Sequence, residues 1–149
     1  MLIEKNFTVK NSVERVWDLL LDVEKLGSCV PGLEKLEVND DDNFRIVAKT
    51  KVGIVPAKFD VEFKITKKDR LVNFEFVGRG KDILTKSTLT LINVLKLRAT
   101  SNGQTEISYK ADLCIGGRFA TFGQRVVTAK AKQLEDEFIN CLIPRLSMI

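Results

Sequence analysis

The residue types that most often carry out chemistry in proteins are scarce in this sequence of 149 residues. Histidine is absent, which removes the commonest general base and metal ligand near neutral pH. Asp40, Asp41 and Asp42 are consecutive carboxylates, but they lie between two predicted strands and are typical of a solvated turn. Gly78-x-Gly80 resembles part of a phosphate loop, yet no helix follows it, so a bulge or tight bend is predicted. We therefore predict no catalytic group, no metal site and no cofactor.

The three cysteines, Cys29, Cys114 and Cys141, are scattered and odd in number. No short spacing pairs them, so a disulfide framework is not expected, and Cys29 and Cys114 are predicted to be small buried apolar residues. The first ten residues lack the layout of a secretory signal, and no apolar run approaches the roughly 18 residues that cross a bilayer. These features predict a cytoplasmic protein in a reducing compartment, and a peripheral position at the inner membrane face stays open but unsupported.

The net charge of +4 would favour anionic partners. However, lysine and arginine alternate with apolar residues along predicted strands, as on any solvated face. Aromatic and basic residues fall on opposite strand faces instead of interleaving on one. We do not expect a nucleic-acid partner.

The start of the chain predicts one strand followed by two short helices. Residues 2–10 form the strand, and Ser12 is placed to cap a helix whose apolar residues follow at helical spacing. Asp22 is placed to cap a second helix through about Val30. Pro31-Gly32 would end this helix, the interpretation we favour, or would form a lip at the mouth of a cavity.

Six further strands are predicted by alternation of apolar and polar residues, clearest from Ala57 to Thr66. Lys68-Asp69 is a predicted hairpin turn into a strand that holds Val72, and Ser101-Asn102-Gly103 is another turn. One apolar face per strand indicates antiparallel pairing, and the length of the strands requires a twisted, curved sheet. Gly116-Gly117 would allow a sharp reversal into a long helix from about Arg118 to Pro144, whose apolar stripe changes face midway.

Together these elements predict an α+β domain over residues 1–149, in the order β-α-α-β6-α. It would be a helix grip, in which a seven-stranded curved antiparallel sheet surrounds a long C-terminal helix. Long curved strands leave more concave surface than one helix fills, so a hydrophobic cavity between sheet and helix is expected. Any one aromatic residue on the inner face is more often plain core than a ligand contact. The set predicted to line the cavity is Trp17, Leu20, Phe44, Phe59, Phe63, Phe74, Phe76, Leu91, Tyr109, Phe122 and Val126, with Pro31 and Gly32 at its mouth.

On the strands, the only inward polar or titratable residues are Asn93 and Tyr109. The Tyr109 hydroxyl would bind a ligand carbonyl or satisfy a buried backbone group, and the sequence does not decide between them. General acid–base catalysis needs an ionisable group within reach of the substrate, so this lining favours holding a ligand over transforming it.

The chain resembles the CoxG family of carbon monoxide dehydrogenase subunits, within the START-type or SRPBCC helix-grip superfamily, along essentially its whole length. The residues that carry the resemblance are Phe7, Val9, Val16-Trp17, Leu20, Asp22, Cys29, Pro31-Gly32, Lys51-Val52-Gly53, Gly78, Gly80, Gly103, Thr105, Tyr109, Ala111-Asp112, Gly116-Gly117, Phe119-Ala120 and Phe122-Gly123.

The resemblance implies a hydrophobic cavity and a role as accessory factor to a CO dehydrogenase-type molybdenum hydroxylase, through a lipid, isoprenoid or quinone-like molecule. Members that attach to membranes tend to carry an apolar tail, and this sequence ends at Ile149, so no membrane anchor is expected. The alternative from the same superfamily is a polyketide cyclase- or hydratase-like enzyme.

Overall fold

The computed structural model describes residues 1–147. The strands are β1 (Leu2–Val9), β2 (Leu33–Val38), β3 (Asn43–Val52), β4 (Val55–Asp69), β5 (Asn73–Asp82), β6 (Thr88–Ala99) and β7 (Thr105–Gly116). The helices are α1 (Val13–Leu20), α2 (Val23–Gly27) and α3 (Gln124–Ser147), with a 3-10 turn at Gly117–Phe122.

All seven strands form one antiparallel sheet in the order β1-β7-β6-β5-β4-β3-β2. β1 and β2 occupy opposite edges, so α1 and α2, which connect them, cross from one edge of the sheet to the other. The long helix α3 packs against β1, β3 and α1. The predicted element order and the seven-stranded sheet around a C-terminal helix are confirmed.

Both short helices begin at the predicted caps. The Ser12 hydroxyl accepts a hydrogen bond from the Arg15 amide, and the Asp22 carboxylate accepts one from the Lys25 amide. The α-helix α2 stops at Gly27, earlier than predicted, because the next turn tightens: the Val30 amide donates to the Gly27 carbonyl, three residues back.

The long helix begins at Gln124, so the predicted start near Arg118 is wrong. Gly123 has a φ of 91°, outside the helical region, and this separates the 3-10 turn from α3. The change of face in the apolar stripe therefore reflects two separate elements rather than one helix crossing a curved sheet. Pro144 lies inside α3 and does not end it.

Three local predictions on the strands also need correction. β4 continues through Lys68-Asp69, and the turn falls at Arg70–Val72, which leaves Val72 exposed and outside β5. Gly78 and Gly80 make no bulge, since both pair in register with β4, and the shift in that ladder lies between Ile65 and Lys67. The turns at Asp40–Asp42 and Gly103 are confirmed.

The cysteine prediction is wrong as well. Cys29, after α2, forms a disulfide with Cys141 on α3, and their Cα atoms are 5.5 Å apart. Cys114 is exposed on β7, not buried. The cysteines thus give no support to the prediction of a reducing compartment.

Candidate ligand cavity

A cavity of about 310 Å³ lies between the inner face of the sheet and α3. Its walls are apolar because the period-two alternation of β3 to β7 turns one side chain in two toward the helix. The short helices supply the adjoining wall, which includes Val23, Leu26, Val30 and Pro31. α3 closes the other side with Val127, Ala131, Leu134 and Phe138.

A group of four phenylalanines gives the cavity one rigid wall. Phe44 and Phe63 stack with ring centroids 5.0 Å apart, and Phe76 packs against both Phe63 and Phe74 at 5.9 and 5.7 Å. Gly78 makes room for this arrangement. A Cβ at this position would lie 2.5 Å from the ring of Phe63, so a larger residue would displace the aromatic wall.

The cavity brings together most of the residues that the sequence placed there. Those in its lining are Leu20, Pro31, Phe44, Phe59, Phe63, Phe74, Phe76, Leu91 and Tyr109. Whether they contact a ligand remains a prediction.

Four predicted residues lie elsewhere. Trp17 is one layer behind the wall, edge-on to Phe74 with centroids 6.1 Å apart. Phe122 packs against Phe119 in a second apolar cluster, and Val126 is 38% exposed because α3, starting at Gln124, turns Val127 inward instead. Gly32 contributes only backbone, with a φ of 71° and its carbonyl accepting from the Lys49 amide.

The cavity also contains a hydrogen-bonded polar pair. The Tyr109 hydroxyl donates to Oδ1 of Asn93 at 2.7 Å, and Asn93 is only 1% exposed. Of the two predicted roles for this hydroxyl, satisfaction of a backbone group is therefore wrong, because its acceptor is a side chain. Burial, with a smaller contribution from the charge of Glu135, raises the pKa of Tyr109, so the phenol stays neutral and keeps its donor hydrogen.

Sequence reasoning missed Glu135 and Lys130, which both lie in the lining on α3. Glu135 is 9% exposed, and its Oε1 has no hydrogen-bond partner among the described residues. The signal was present, since Glu135 follows Val127 and Ala131 at intervals of four, but the period-two phase that predicts inward residues applies only to strands. Burial raises the pKa of Glu135 to about 7, against a smaller lowering by the charge of Lys5, whose amine pairs with Asp136.

The raised pKa of Glu135 makes stability depend on pH in a definite direction. The folded chain binds this proton more tightly than the unfolded chain, so stability is greatest below the ordinary value of 4.5 and is lost as pH rises to about 7. We expect Glu135→Gln to remove this loss, which amounts to about 2 to 3 kcal/mol. Thermal melts of both proteins between pH 5 and 8 should therefore diverge as pH rises, with Glu135→Gln the more stable at pH 8.

A control for this prediction lies on the same helix. Glu137 is exposed, and its variant Glu137→Gln should follow the wild-type pH profile. Parallel profiles for Glu135→Gln and wild type would show that Glu135 is ionised without penalty, contrary to the expectation.

Within residues 1–147, no group of three or more histidine, cysteine or acidic side chains is arranged to hold a metal ion. No helix in the same part of the chain is long and apolar enough to cross a membrane.

Solved structures share this architecture along nearly the whole chain. A conserved protein from Geobacillus kaustophilus is 22% identical with a TM-score of 0.86, covering 98% of this chain and 95% of that one. A START superfamily protein from Mycobacterium smegmatis is 11% identical with a TM-score of 0.67, covering 97% and 96%. The Zhui aromatase/cyclase from a Streptomyces species is 11% identical with a TM-score of 0.71, covering 98% and 93%.

These likenesses define the fold as a START-type helix grip. The model of the CoxG family of carbon monoxide dehydrogenase subunits matches residues 6–147, and the chain belongs to this family. No curated protein sequence matches it.

Proposed function

We propose that the protein binds an apolar small molecule, such as a lipid, an isoprenoid or a quinone-like compound, in the cavity between the sheet and α3, and that it does not transform it. The observation that carries the proposal is the cavity of about 310 Å³ with walls that are almost wholly apolar. Ligand sites in proteins begin at about this size and have the same predominance of apolar lining with a few polar groups.

The energetics of packing support an occupant. Protein interiors are close-packed, and an unfilled apolar cavity costs stability in proportion to its volume. An apolar ligand would recover that cost and bring its own transfer free energy out of water. The disulfide between Cys29 and Cys141 joins the loop after α2 to α3, so the two sides of the cavity are tied independently of any ligand.

Native mass spectrometry of freshly purified protein tests this function. We expect a co-purifying lipophile, or a rise in Tm when a quinone or fatty acyl compound is added. Absence of any bound molecule together with an unchanged Tm across such compounds would contradict the proposal.

The partner follows from the family rather than from the cavity. We propose that the protein serves as accessory factor to a CO dehydrogenase-type molybdenum hydroxylase, because the matching family is described as a subunit of carbon monoxide dehydrogenase. Pull-down of the tagged protein from native extract should recover such an oxidoreductase, and repeated recovery of none would count against the partnership.

A second candidate, a cyclase- or hydratase-like enzyme, is favoured by one observation. Glu135 and Tyr109 are both ionisable and both line the cavity, as acid–base catalysis would need. Against it, the Tyr109 hydroxyl is committed to Asn93. Mass analysis of the co-purified molecule over time distinguishes the two: a change of mass with wild type that Glu135→Gln does not produce would favour the enzyme, and a constant mass favours binding alone.

A further inference from the structure

Two buried polar atoms in the apolar cavity lack a hydrogen-bond partner among residues 1–147: Nδ2 of Asn93 and Oε1 of Glu135. The two side chains are 1% and 9% exposed, so bulk water does not satisfy them. Buried polar groups in native proteins are nearly always paired, and one that is not calls for a specific explanation. Here both atoms belong to the lining of the same cavity, from opposite sides of it.

The orientation of Asn93 is fixed by its neighbour. Tyr109 lies on β7 and donates its hydroxyl hydrogen to Oδ1 of Asn93 on β6, at 2.7 Å. A carboxamide has one oxygen that accepts and one nitrogen that donates. Because the oxygen is occupied, the remaining open group is the donor Nδ2, and its complement is an acceptor oxygen.

Glu135 presents the opposite chemistry. It lies on α3, across the cavity from the sheet, and its charge is close enough to act on Tyr109. Its Oε1 accepts a hydrogen bond whether or not the carboxyl group is protonated on its other oxygen. The complement of this atom is a hydroxyl hydrogen.

We propose that Asn93, held by Tyr109, and Glu135 form a recognition site for the oxygenated end of an apolar ligand, in which Nδ2 of Asn93 donates to a carbonyl oxygen and Oε1 of Glu135 accepts from a hydroxyl group. This inference rests on the proposed function, since it assumes that the cavity takes a ligand. It narrows the ligand class to apolar molecules with a carbonyl or hydroxyl group at one end. A plain hydrocarbon leaves both atoms unpaired.

Three probes with the same twelve carbons test the site: 2-ethylnaphthalene, 2-acetylnaphthalene and 1-(2-naphthyl)ethanol. Dissociation constants are measured by calorimetry for the wild type and for Asn93→Leu and Glu135→Leu. The readout is the ratio of the hydrocarbon constant to that of the ketone or alcohol. Comparing this ratio between proteins cancels the difference in how each probe leaves water.

We expect Asn93→Leu to lower the ketone ratio roughly fivefold to tenfold, the usual effect of one net hydrogen bond, while Glu135→Leu leaves it unchanged. Glu135→Leu should lower the alcohol ratio by a similar factor. Tyr109→Phe removes the group that holds the Asn93 amide, so it should lower the ketone ratio part of the way. A purely structural role for Tyr109 would change Tm but not this ratio.

Asn73 provides a matched control. It is also buried and also has an unpartnered amide atom, Oδ1, but it lies outside the cavity lining. Asn73→Leu should therefore leave both ratios at their wild-type values. If Asn93→Leu binds the hydrocarbon but keeps the wild-type ketone ratio within twofold, the recognition site is wrong while apolar binding stands. If the wild type binds none of the three probes, the proposed function fails, and this inference fails with it.

Discussion

Ala131→Trp is expected to abolish binding of apolar probes while the protein stays folded. Ala131 lines the cavity from the middle of α3 and is half-buried, so an indole at this position would enter the space that a ligand needs. Calorimetry with 2-ethylnaphthalene should show at least a hundredfold weaker binding, a loss of about 2.7 kcal/mol or more. The new ring fills empty volume, so we expect Tm to be maintained or raised.

The same helix offers the control for this substitution. Ala129 is exposed, and Ala129→Trp adds the same ring to the solvent face. It should bind the probe as the wild type does. Retained affinity in Ala131→Trp, with an unchanged circular dichroism spectrum, would place the ligand outside the cavity. Loss of affinity in both variants would contradict the assignment of the effect to the cavity, because a tryptophan on the solvent face would then disturb binding equally.

The sheet was predictable because strand periodicity is a local signal. Every second residue from Ala57 to Ile65 is apolar, and a sheet with one covered face is the arrangement that buries these side chains together. The start of α3 was not predictable in the same way. Phe119, Phe122 and Val126 have helical spacing, so the pattern runs unbroken through a 3-10 turn and through Gly123, whose left-handed backbone separates the two elements.

The candidate cavity was predictable where strands form it and less so where helices do. On a strand the phase is two, and an error of one residue is plain, as the inward Phe44 and Phe63 illustrate. On a helix, one residue is a rotation of only about 100°, so a misplaced start of α3 favours Val126 over Val127. Glu135 escapes prediction because a charged residue is typical of a solvated face unless the orientation of its helix is known.

The pairing of Cys29 with Cys141 lay beyond sequence reasoning for a different reason. The two residues are 112 positions apart, and no local pattern reports that α3 returns to the loop after α2. Only the tertiary arrangement of the chain brings them within bonding distance, and cysteine counts alone do not specify connectivity.

We expect removal of this disulfide to give the largest loss of stability among the variants considered. A crosslink between residues so far apart removes much of the conformational freedom of the unfolded chain, which corresponds to roughly 3 to 5 kcal/mol. Cys29→Ser and Cys141→Ser should each lose this amount in urea unfolding without reductant. The wild type should lose a similar amount when reductant is added, whereas the two variants should no longer respond to it.

The third cysteine makes this prediction specific. Cys114 is exposed and free, so Cys114→Ser should change stability by no more than about 0.5 kcal/mol and should keep the response to reductant. Alkylation of unfolded wild type without reductant should modify one thiol per chain, and peptide mapping should place it at Cys114. Modification of all three thiols would show that the crosslink does not form in the purified protein. The cavity would then be held between the loop after α2 and α3 by packing alone, and reductant would leave the unfolding curve of the wild type unchanged.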